Sequence, residues 1–146
     1  MKRLLDLTIS IIVTIIISPL LLVLAIIIKV DSNGPVFYLQ ERIGKNRVPF
    51  RIFKFRTMYV NADKQGLLTV GERDARITRV GVLLRKYKLD ELPQLFNVMG
   101  GNMSLVGPRP EVRKYVDLYS EEQLKVLRVK PGITDYASIE YANENQ

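Results

Sequence analysis

The chain has 146 residues, a length that fits one compact domain with one active centre. Its 22 Lys and Arg outnumber 15 Asp and Glu, and the net charge of +7 favours acidic partners: nucleotides, phosphates, nucleic acid or anionic lipid. Cysteine and histidine are absent, so disulfides, cysteine nucleophiles, the ordinary zinc sites and histidine relays are excluded, and carboxylates, lysines and hydroxyls remain for any chemistry.

The first thirty residues contain an uncharged, strongly apolar stretch at residues 7–28. If it is a helix, this stretch is about 33 Å long and could cross a bilayer as a single anchor. Pro19 lies in its middle, where a proline removes one intrahelical hydrogen bond and clashes with the carbonyl four residues earlier. The pattern therefore predicts a kink or break at Ser18-Pro19, which leaves two arms of about half a bilayer each.

The basic residues that flank this stretch distinguish two membrane topologies. Lys2 and Arg3 precede it and Lys29 follows it, so a straight span would place one cationic flank on the wrong side under the positive-inside rule. A re-entrant helix places both flanks on the cytoplasmic face, and the Ser18 hydroxyl can bond a carbonyl freed at the bend. We therefore predict a re-entrant helix over residues 1–30, with a spanning anchor as the alternative.

A β-hairpin is predicted next to the membrane segment. Turn-forming residues at 31–35 mark the exit from it, and residues 36–39 and 50–58 have the composition of strands. A period of two on the second strand places Lys54 and Arg56 on one face, so that two cations point the same way. The alternative is a solvated edge, or a surface that rests on anionic headgroups.

Two helices follow a polar segment at residues 61–77, which we predict to be a loop. Apolar residues at helical spacing predict the first helix at residues 78–87. The second is predicted to begin at Asp90 or Glu91, with Pro93 in its first turn, where proline is tolerated. Both helices present one apolar stripe for burial.

The remaining residues complete the predicted fold. Residues 100–110 hold three glycines and two prolines, which indicates a loop of fixed shape. Ser120 and Gln123 form a capping-box pattern that opens a helix to about Val129. The fold class is thus a helix-rich α/β single domain associated with a membrane: a re-entrant helix over residues 1–30, then a cytoplasmic domain over residues 31–146 with a small hairpin and several amphipathic interfacial helices.

The adjacent carboxylates Asp90 and Glu91 are the first candidates for chemistry. At a helix N-terminus an anion is stabilised, although aspartate is also a common cap with no other role. Arg85, Lys86 and Lys88 lie just upstream, and an anionic nucleophile flanked by cations suits attack on a phosphoryl group. The carboxylates can also hold Mg²⁺, the metal best suited to oxygen ligands in a chain without histidine.

Arg109 is the second candidate, because prolines at 108 and 110 fix the backbone on both sides of its guanidinium. A fixed guanidinium loses little entropy when it binds a phosphate, although an arginine in an ordinary surface turn would look the same. The aromatic residues are not interleaved with the basic ones as a stacking platform for nucleic acid requires, so we expect no nucleic-acid partner.

Four motifs in order along the chain resemble those of the bacterial sugar transferase family. They are FKFRTM at residues 53–58, LDELPQ at 89–94, MSLVGPRP at 103–110 and KPGIT at 130–134. The resemblance covers nearly the whole chain, including the proline-interrupted membrane segment. It points to the small monotopic phosphoglycosyl transferases that start glycoconjugate assembly on a polyprenyl phosphate carrier in the bacterial cytoplasmic membrane.

The resemblance implies a two-step reaction with named residues. Asp90 would match the nucleophile that attacks the diphosphate of a UDP-sugar, releases UMP and leaves a covalent phosphosugar on the protein. Glu91 would match its partner in the dyad, associated with Mg²⁺. Arg85 and Arg109 would match arginines that hold substrate phosphates. Polyprenyl phosphate would then attack the intermediate and form polyprenyl-diphosphate-sugar.

Further roles follow from the resemblance less directly. The pair Ser18-Pro19 would match the bend that returns the membrane helix to the cytoplasmic face. Lys54 and Arg56 lie in a matching motif and are assigned to phosphate or headgroup contact. Asp135-Tyr136 stand where many members have glycine and an aromatic residue, and members usually extend some tens of residues further, where sugar-contacting residues are expected. A rival hypothesis is a non-catalytic basic module that binds a membrane surface.

Overall fold

The computed structural model describes residues 1–65 and 74–135 of the chain. Its helices and strands, in chain order, are α1 (Lys2–Asp31), β1 (Phe37–Ile43), β2 (Pro49–Phe55), α2 (Arg79–Lys86), α3 (Gln94–Gly100), β3 (Ser104–Val106), α4 (Arg113–Val116) and β4 (Gly132–Thr134). Short 3-10 turns lie at Lys45–Arg47, Ala62–Gln65, Leu89–Glu91 and Gln123–Arg128. The helix-rich α/β fold class is confirmed, whereas part of the predicted loop and the chain end lie outside the described residues.

Helix α1 runs through Pro19 without interruption, so the predicted break of the helix at Ser18-Pro19 is not observed. Proline has a fixed φ that a helix accepts, and only one hydrogen bond is lost. The carbonyl freed by Pro19 is that of Ile15, and the Ser18 hydroxyl donates to it at 2.8 Å, as predicted. Among the described residues, α1 is the one helix long and apolar enough to cross a membrane.

The N-terminal end of α1 contacts the rest of the domain through polar side chains. The Arg3 guanidinium donates to the carbonyls of Val98 and Met99, which lie in the last turn of α3. The Ser104 hydroxyl donates to the buried carboxylate of Asp6 at 2.7 Å. These bonds tie the start of α1 to α3 and β3.

The C-terminal end of α1 is held by apolar packing against the same domain. Leu24 and Ile28 are buried in one cluster with Phe55 of β2 and Leu84 of α2. The opposite face of α1 is covered by exposed large apolar side chains: Leu4, Leu5, Ile9, Ile11, Ile12, Ile15, Ile16, Leu20, Leu22, Val23, Ile26, Ile27 and Val30. An apolar patch of this size on a protein surface marks a contact with membrane or protein.

The predicted hairpin is confirmed, with different strand limits. Strands β1 and β2 are antiparallel, and Phe37 pairs with Phe55 at the open end. The second strand ends at Phe55, three residues before the predicted limit. Helix α3 supplies partners for the free edge of β2: its Asn97 side chain accepts from the Phe53 amide at 2.9 Å and donates to the Arg51 carbonyl at 2.7 Å.

The first predicted helix is confirmed as α2, whose cap is the Thr78 hydroxyl that accepts from the Gly81 amide at 2.9 Å. The second begins later than predicted, at Gln94, and Asp90 lies in the 3-10 turn Leu89–Glu91 before it. Pro93 has no amide proton to donate to the Leu89 carbonyl, so bonds of the 3-10 type hold this turn.

Part of the segment predicted as a loop is strand β3, which pairs in parallel with the unpredicted strand β4. The two strands meet where two glycines touch: a Cβ on Gly132 would lie 2.0 Å from the Gly107 nitrogen. The Gly132 amide donates to Pro108 at 3.0 Å, and Gly107 donates to Thr134 at 3.0 Å. These bonds fix the loop that follows β3.

The capping box near the end of the described residues is confirmed. The Ser120 amide donates to the Gln123 side chain at 2.9 Å, and the Gln123 amide donates to the Ser120 hydroxyl at 3.3 Å. The element that follows is the 3-10 turn Gln123–Arg128 instead of the predicted α-helix.

Candidate active site

A cavity of about 590 Å³ opens between the hairpin, the segment after β2 and the turn Leu89–Glu91. All six residues predicted for chemistry or phosphate binding line it: Lys54, Arg56, Arg85, Asp90, Glu91 and Arg109. Its size is in the range of small-molecule sites. With Arg42 and Lys88, the lining holds six cationic and two anionic side chains, so the cavity attracts anions.

Asp90 is positioned by the sharp turn that joins α2 to α3. Lys88 has a left-handed backbone with φ of 57°, which reverses the chain directly before the turn. The Asp90 Oδ1 atom is buried and has no hydrogen-bond partner within the described part of the chain. Burial raises the pKa of the Asp90 carboxyl; Lys54 and Arg85 oppose this change and the Glu91 charge adds to it.

Glu91 has a different environment from its neighbour. Its Oε1 atom lies 3.0 Å from Lys54 Nζ and 3.2 Å from Arg109 Nη2. Burial alone would raise the pKa of Glu91, but Lys54, Arg109 and Lys88 more than offset it, so this pKa is lowered. The pKa of Asp90 is therefore raised and that of the adjacent Glu91 is lowered, an arrangement typical of groups with separate chemical roles.

The two arginines predicted to hold phosphate lie on opposite sides of the dyad in sequence and both reach the cavity. The Arg85 Nε atom donates to the Thr57 hydroxyl at 2.9 Å, which orients the half-buried guanidinium. Arg109 sits on the loop fixed by Gly107 and Gly132, and 57% of its side-chain surface is exposed. An accessible guanidinium on a rigid loop is suited to binding an anionic ligand.

Arg56 borders the cavity, but its guanidinium has other partners than the predicted phosphate or headgroup. It is 5% exposed and donates to the backbone carbonyls of Ser32 at 2.7 Å and Asn33. A third, longer contact of 3.5 Å reaches Ile28. Strand β2 ends at Phe55, so Arg56 lies after the strand, where it secures the end of α1; its contact with a phosphate or headgroup stays a prediction.

Sequence reasoning missed Arg42, which lines the same cavity. Its guanidinium donates to the Gln40 side chain at 2.8 Å and to the Pro110 carbonyl at 3.4 Å, and it lies 3.8 Å from Glu111. Burial lowers the pKa of Arg42, and the nearby Arg109 charge acts in the same direction. Arg42 pairs with Phe50 in the hairpin, so alternation along β1 was the signal that could have found it.

Magnesium is the metal implied by the family resemblance, and the donor set fits one mode of binding it. No group of three or more potential metal-binding side chains occurs within residues 1–65 and 74–135. Asp90 and Glu91 can contribute two carboxylates, and the Asp90 Oδ1 atom is free of protein partners in that same region. Mg²⁺ is commonly held by one or two carboxylates together with substrate phosphates, so the dyad is suited to a metal that arrives with a diphosphate.

Comparison with protein families gives a match over the whole chain. A family model described as bacterial sugar transferase covers residues 1–146. An N-acetylgalactosaminephosphotransferase of Aeromonas hydrophila, named for UDP-N-acetylgalactosamine and undecaprenyl phosphate, is 45% identical over 94% of this chain. The sugar transferase EpsL of Bacillus subtilis is 43% identical over 98% of the chain.

A third relative differs in its named sugar. The UDP-glucose:undecaprenyl-phosphate glucose-1-phosphate transferase of Klebsiella pneumoniae is 45% identical over 94% of this chain. The chain spans 33% of the Aeromonas relative and 30% of the Klebsiella relative, but 70% of the Bacillus one. Equal identity to relatives named for different sugars means that overall similarity does not identify a sugar.

Proposed function

Because this chain belongs to the bacterial sugar transferase family, we propose that it moves a phosphosugar from a UDP-sugar to polyprenyl phosphate through a covalent intermediate on Asp90. One observation carries the proposal: Asp90, which has a buried carboxylate oxygen without a hydrogen-bond partner among the described residues, lines a cavity together with six cations. A carboxylate in this setting can act as a nucleophile toward an anionic phosphoryl group. This transfer would be the first membrane step of glycoconjugate assembly.

In the first step, an oxygen of Asp90 attacks the phosphorus that carries the sugar. A new bond joins this oxygen to phosphorus, the bond from phosphorus to the bridging oxygen breaks, and UMP leaves with the electron pair. Arg85 and Arg109 hold the donor phosphates and neutralise charge that develops on UMP. Lys54 keeps Glu91 ionised beside Asp90, since Lys54 Nζ lies 3.0 Å from Glu91 Oε1.

In the second step, polyprenyl phosphate replaces the enzyme on the same phosphorus. A phosphate oxygen of the acceptor forms the new bond, and the bond to Asp90 breaks, which restores the carboxylate and yields polyprenyl-diphosphate-sugar. The Asp90 carboxylate is a good leaving group because it is a weak base. Both substrates use one basic cavity in turn, which agrees with the cluster of cations that lines it beside the dyad.

Asp90 and Glu91 are the residues that would hold Mg²⁺ in this scheme. The ion would supply positive charge to the diphosphate oxygens. Glu91 keeps a lowered pKa for this role, so it remains an anion across the neutral range.

We further propose that α1 re-enters on the cytoplasmic face of the inner membrane instead of crossing it. A straight helix of 30 residues is about 45 Å long, more than the hydrocarbon thickness of about 30 Å. A perpendicular crossing would carry Arg3 and Asp6 to the far side. Both of them contact the same domain as Leu24 and Ile28, which supports a helix with both ends at one surface.

Release of UMP is the reaction that tests the proposed function. The protein in lipid vesicles should release UMP from its UDP-sugar when Mg²⁺ is present. Glu91→Gln should slow this release on the order of 100-fold and require more Mg²⁺, because one anionic ligand is lost. A chromatographic UMP assay across a magnesium titration measures both.

Glu41→Gln is the matched control, because Glu41 is exposed on the hairpin away from the cavity. This variant should behave like the wild type. If no UDP-sugar yields UMP, the rival membrane-binding module is favoured, and an unchanged magnesium response in Glu91→Gln contradicts the metal role.

The raised pKa of Asp90 predicts a pH dependence. The anion attacks, so UMP release should fall as pH is lowered through a pKa above the ordinary aspartate range. Lys54→Met removes a cation that lowers this pKa, so the acidic limb should move to higher pH. Burial penalises the charged Asp90 carboxylate but not the neutral acid. The contribution of Asp90 to the free energy of unfolding therefore rises as pH falls from its raised pKa to about 3.9, below which the unfolded chain is protonated too.

Rates of UMP release, measured between about pH 4 and about pH 9 in steps of about one pH unit or less, define the acidic limb of the pH profile for the wild type and for Lys54→Met. A wild-type limb in the ordinary aspartate range contradicts the assignment, as does a limb that moves to lower pH in Lys54→Met.

A further inference from the structure

We propose that the start of α1 sets the position of Arg109, and that Asp6 is the positioning residue through which it does so. The inference rests on the proposed function, because it concerns the guanidinium assigned there to the donor phosphates. It gives the N-terminal end of the apolar helix a role in donor binding, in addition to attachment of the domain to a membrane.

Strand β3 is short and leads directly into the loop that carries Arg109. It has three residues, and its strand partner among the described residues is β4, which also has three. A two-stranded sheet is only marginally stable in water, and parallel pairing is the weaker kind. Contacts from another part of the molecule are therefore needed to hold β3 in place.

Helix α1 holds β3 at both of its ends. At the first residue of the strand, the Ser104 hydroxyl donates to the Asp6 carboxylate at 2.7 Å. At the last residue, the Val106 carbonyl accepts from Lys2 Nζ at 3.1 Å. Lys2 and Asp6 are about one helical turn apart on α1, so both side chains lie on the same face of the helix.

The bond between Asp6 and Ser104 is the more important of these two contacts. Asp6 is 8% exposed and Ser104 is 2% exposed, whereas the Lys2 contact is open to solvent. A hydrogen bond to a carboxylate is stronger in a buried place than in water, and its loss leaves a buried polar atom without a partner. Asp6 is therefore the residue of α1 whose replacement should displace β3.

The contacts of β3 continue into the Arg109 loop. The Ser104 amide donates to the Pro131 carbonyl at 2.8 Å, so the same residue that bonds α1 is also bonded to the chain that enters β4. Gly107 and Gly132 lie so close that neither has space for a Cβ, and the loop therefore cannot shift independently of the strands. A displacement of β3 should thus displace the Arg109 guanidinium.

Asp6→Leu and Ser104→Ala test the inference by removing the same bond from its two sides. In both variants we expect the KM for the UDP-sugar, measured by UMP release, to rise about tenfold, because Arg109 is no longer held in place. Asp6→Asn retains an amide oxygen that accepts from Ser104, so its KM should stay within about twofold of the wild-type value. A wild-type KM in Ser104→Ala overturns the inference.

A double-mutant cycle shows whether the effect passes through Arg109. In an Arg109→Met protein, Asp6→Leu should raise the donor KM no further, because the group that it displaces is already gone. In an Arg85→Met protein, Asp6→Leu should still raise this KM about tenfold, because the Arg85 guanidinium is held by Thr57. Equal rises in the two proteins would contradict the positioning role, since a general loss of structure affects both alike.

Amide hydrogen exchange provides a measurement that needs no substrate. The amides of Gly107 and Gly132 should exchange about tenfold faster in Asp6→Leu and in Ser104→Ala than in the wild type. Thr14→Val is the matched control, because it removes a hydroxyl of α1 that donates to the Ser10 carbonyl of the same helix at 2.6 Å. This variant should keep the wild-type exchange rates and the wild-type donor KM.

The two kinds of measurement separate failure of the inference from failure of the proposed function. Wild-type exchange at both glycines in Asp6→Leu and Ser104→Ala overturns the inference, whatever the activity. A wild-type protein that releases no UMP contradicts the proposed function and the donor role of Arg109 with it, whereas the exchange rates still show whether α1 holds the loop.

Discussion

Asp90→Asn is expected to reduce turnover by on the order of 10⁴-fold or more, because an amide cannot replace the carboxylate as the nucleophile. The amide has nearly the same shape, so the cavity and the turn Leu89–Glu91 should persist. Burial penalises the charged form of Asp90, so loss of the charge should leave the free energy of unfolding unchanged or raised. Steady-state transfer to polyprenyl phosphate and thermal unfolding in one detergent measure the two effects.

Asp117→Asn provides the control for loss of one negative charge. Asp117 is exposed and lies after α4, outside the cavity that holds the dyad. Transfer by this variant should match the wild type. An Asp90→Asn protein that retains a tenth or so of the wild-type rate would exclude Asp90 as the nucleophile and leave it only a positioning role.

The second large effect concerns two arginines of the same cavity with opposite expected phenotypes. Arg56→Met should lower the free energy of unfolding by about 3 kcal/mol, because charge-assisted bonds to the carbonyls of Ser32 and Asn33 are lost in a buried place. Arg109→Met should change stability by no more than about 0.5 kcal/mol, because its side chain is 57% exposed.

Activity, in contrast to stability, should fall more in Arg109→Met than in Arg56→Met. Arg109→Met should reduce kcat/KM for the UDP-sugar about 100-fold, because the accessible guanidinium is the one suited to a phosphate. Arg56→Met should retain donor KM at temperatures where it is folded. Thermal unfolding and UMP release, measured on both variants, test this separation. A stable Arg56→Met protein with a raised donor KM would support the phosphate role that the family resemblance implies for Arg56.

The parts of the fold that depend on neighbouring residues were predictable. The Thr78 cap, the Ser120 and Gln123 capping box and the hairpin all arise from patterns within one short stretch of chain. The Ser18 hydroxyl bond follows from the position of Pro19 alone. Local chemistry of this kind is independent of how the chain packs.

The errors occurred where packing between distant segments decides the structure. Strands β3 and β4 have three residues each and are held by contact between Gly107 and Gly132, which no periodicity reveals. Arg56 follows strand alternation in sequence, yet the strand ends one residue earlier, and the end of α1 provides its partners. Helix α1 is continuous through Pro19, so a break, one of the two outcomes predicted there, does not occur.

The candidate site shows the same division. The charges near Asp90 in sequence, such as Arg85, were predictable, whereas the contact between Lys54 and Glu91 joins residues that are 37 apart. The family resemblance assigned Lys54 to phosphate or headgroup contact and did not predict its contact with Glu91. Arg42 was missed although alternation along β1 could have indicated it, because no motif marks its contact with the Pro110 carbonyl in the Arg109 loop.

The central claim is that Asp90 forms a covalent bond to the phosphosugar, and intact-protein mass spectrometry tests it most directly. The wild-type protein with Mg²⁺, a panel of UDP-sugars and no acceptor should gain the mass of one sugar phosphate, and peptide mapping should place it on Asp90. Addition of polyprenyl phosphate should remove the added mass. Release of UMP without any added mass, or an adduct that persists in Asp90→Asn, would contradict the account.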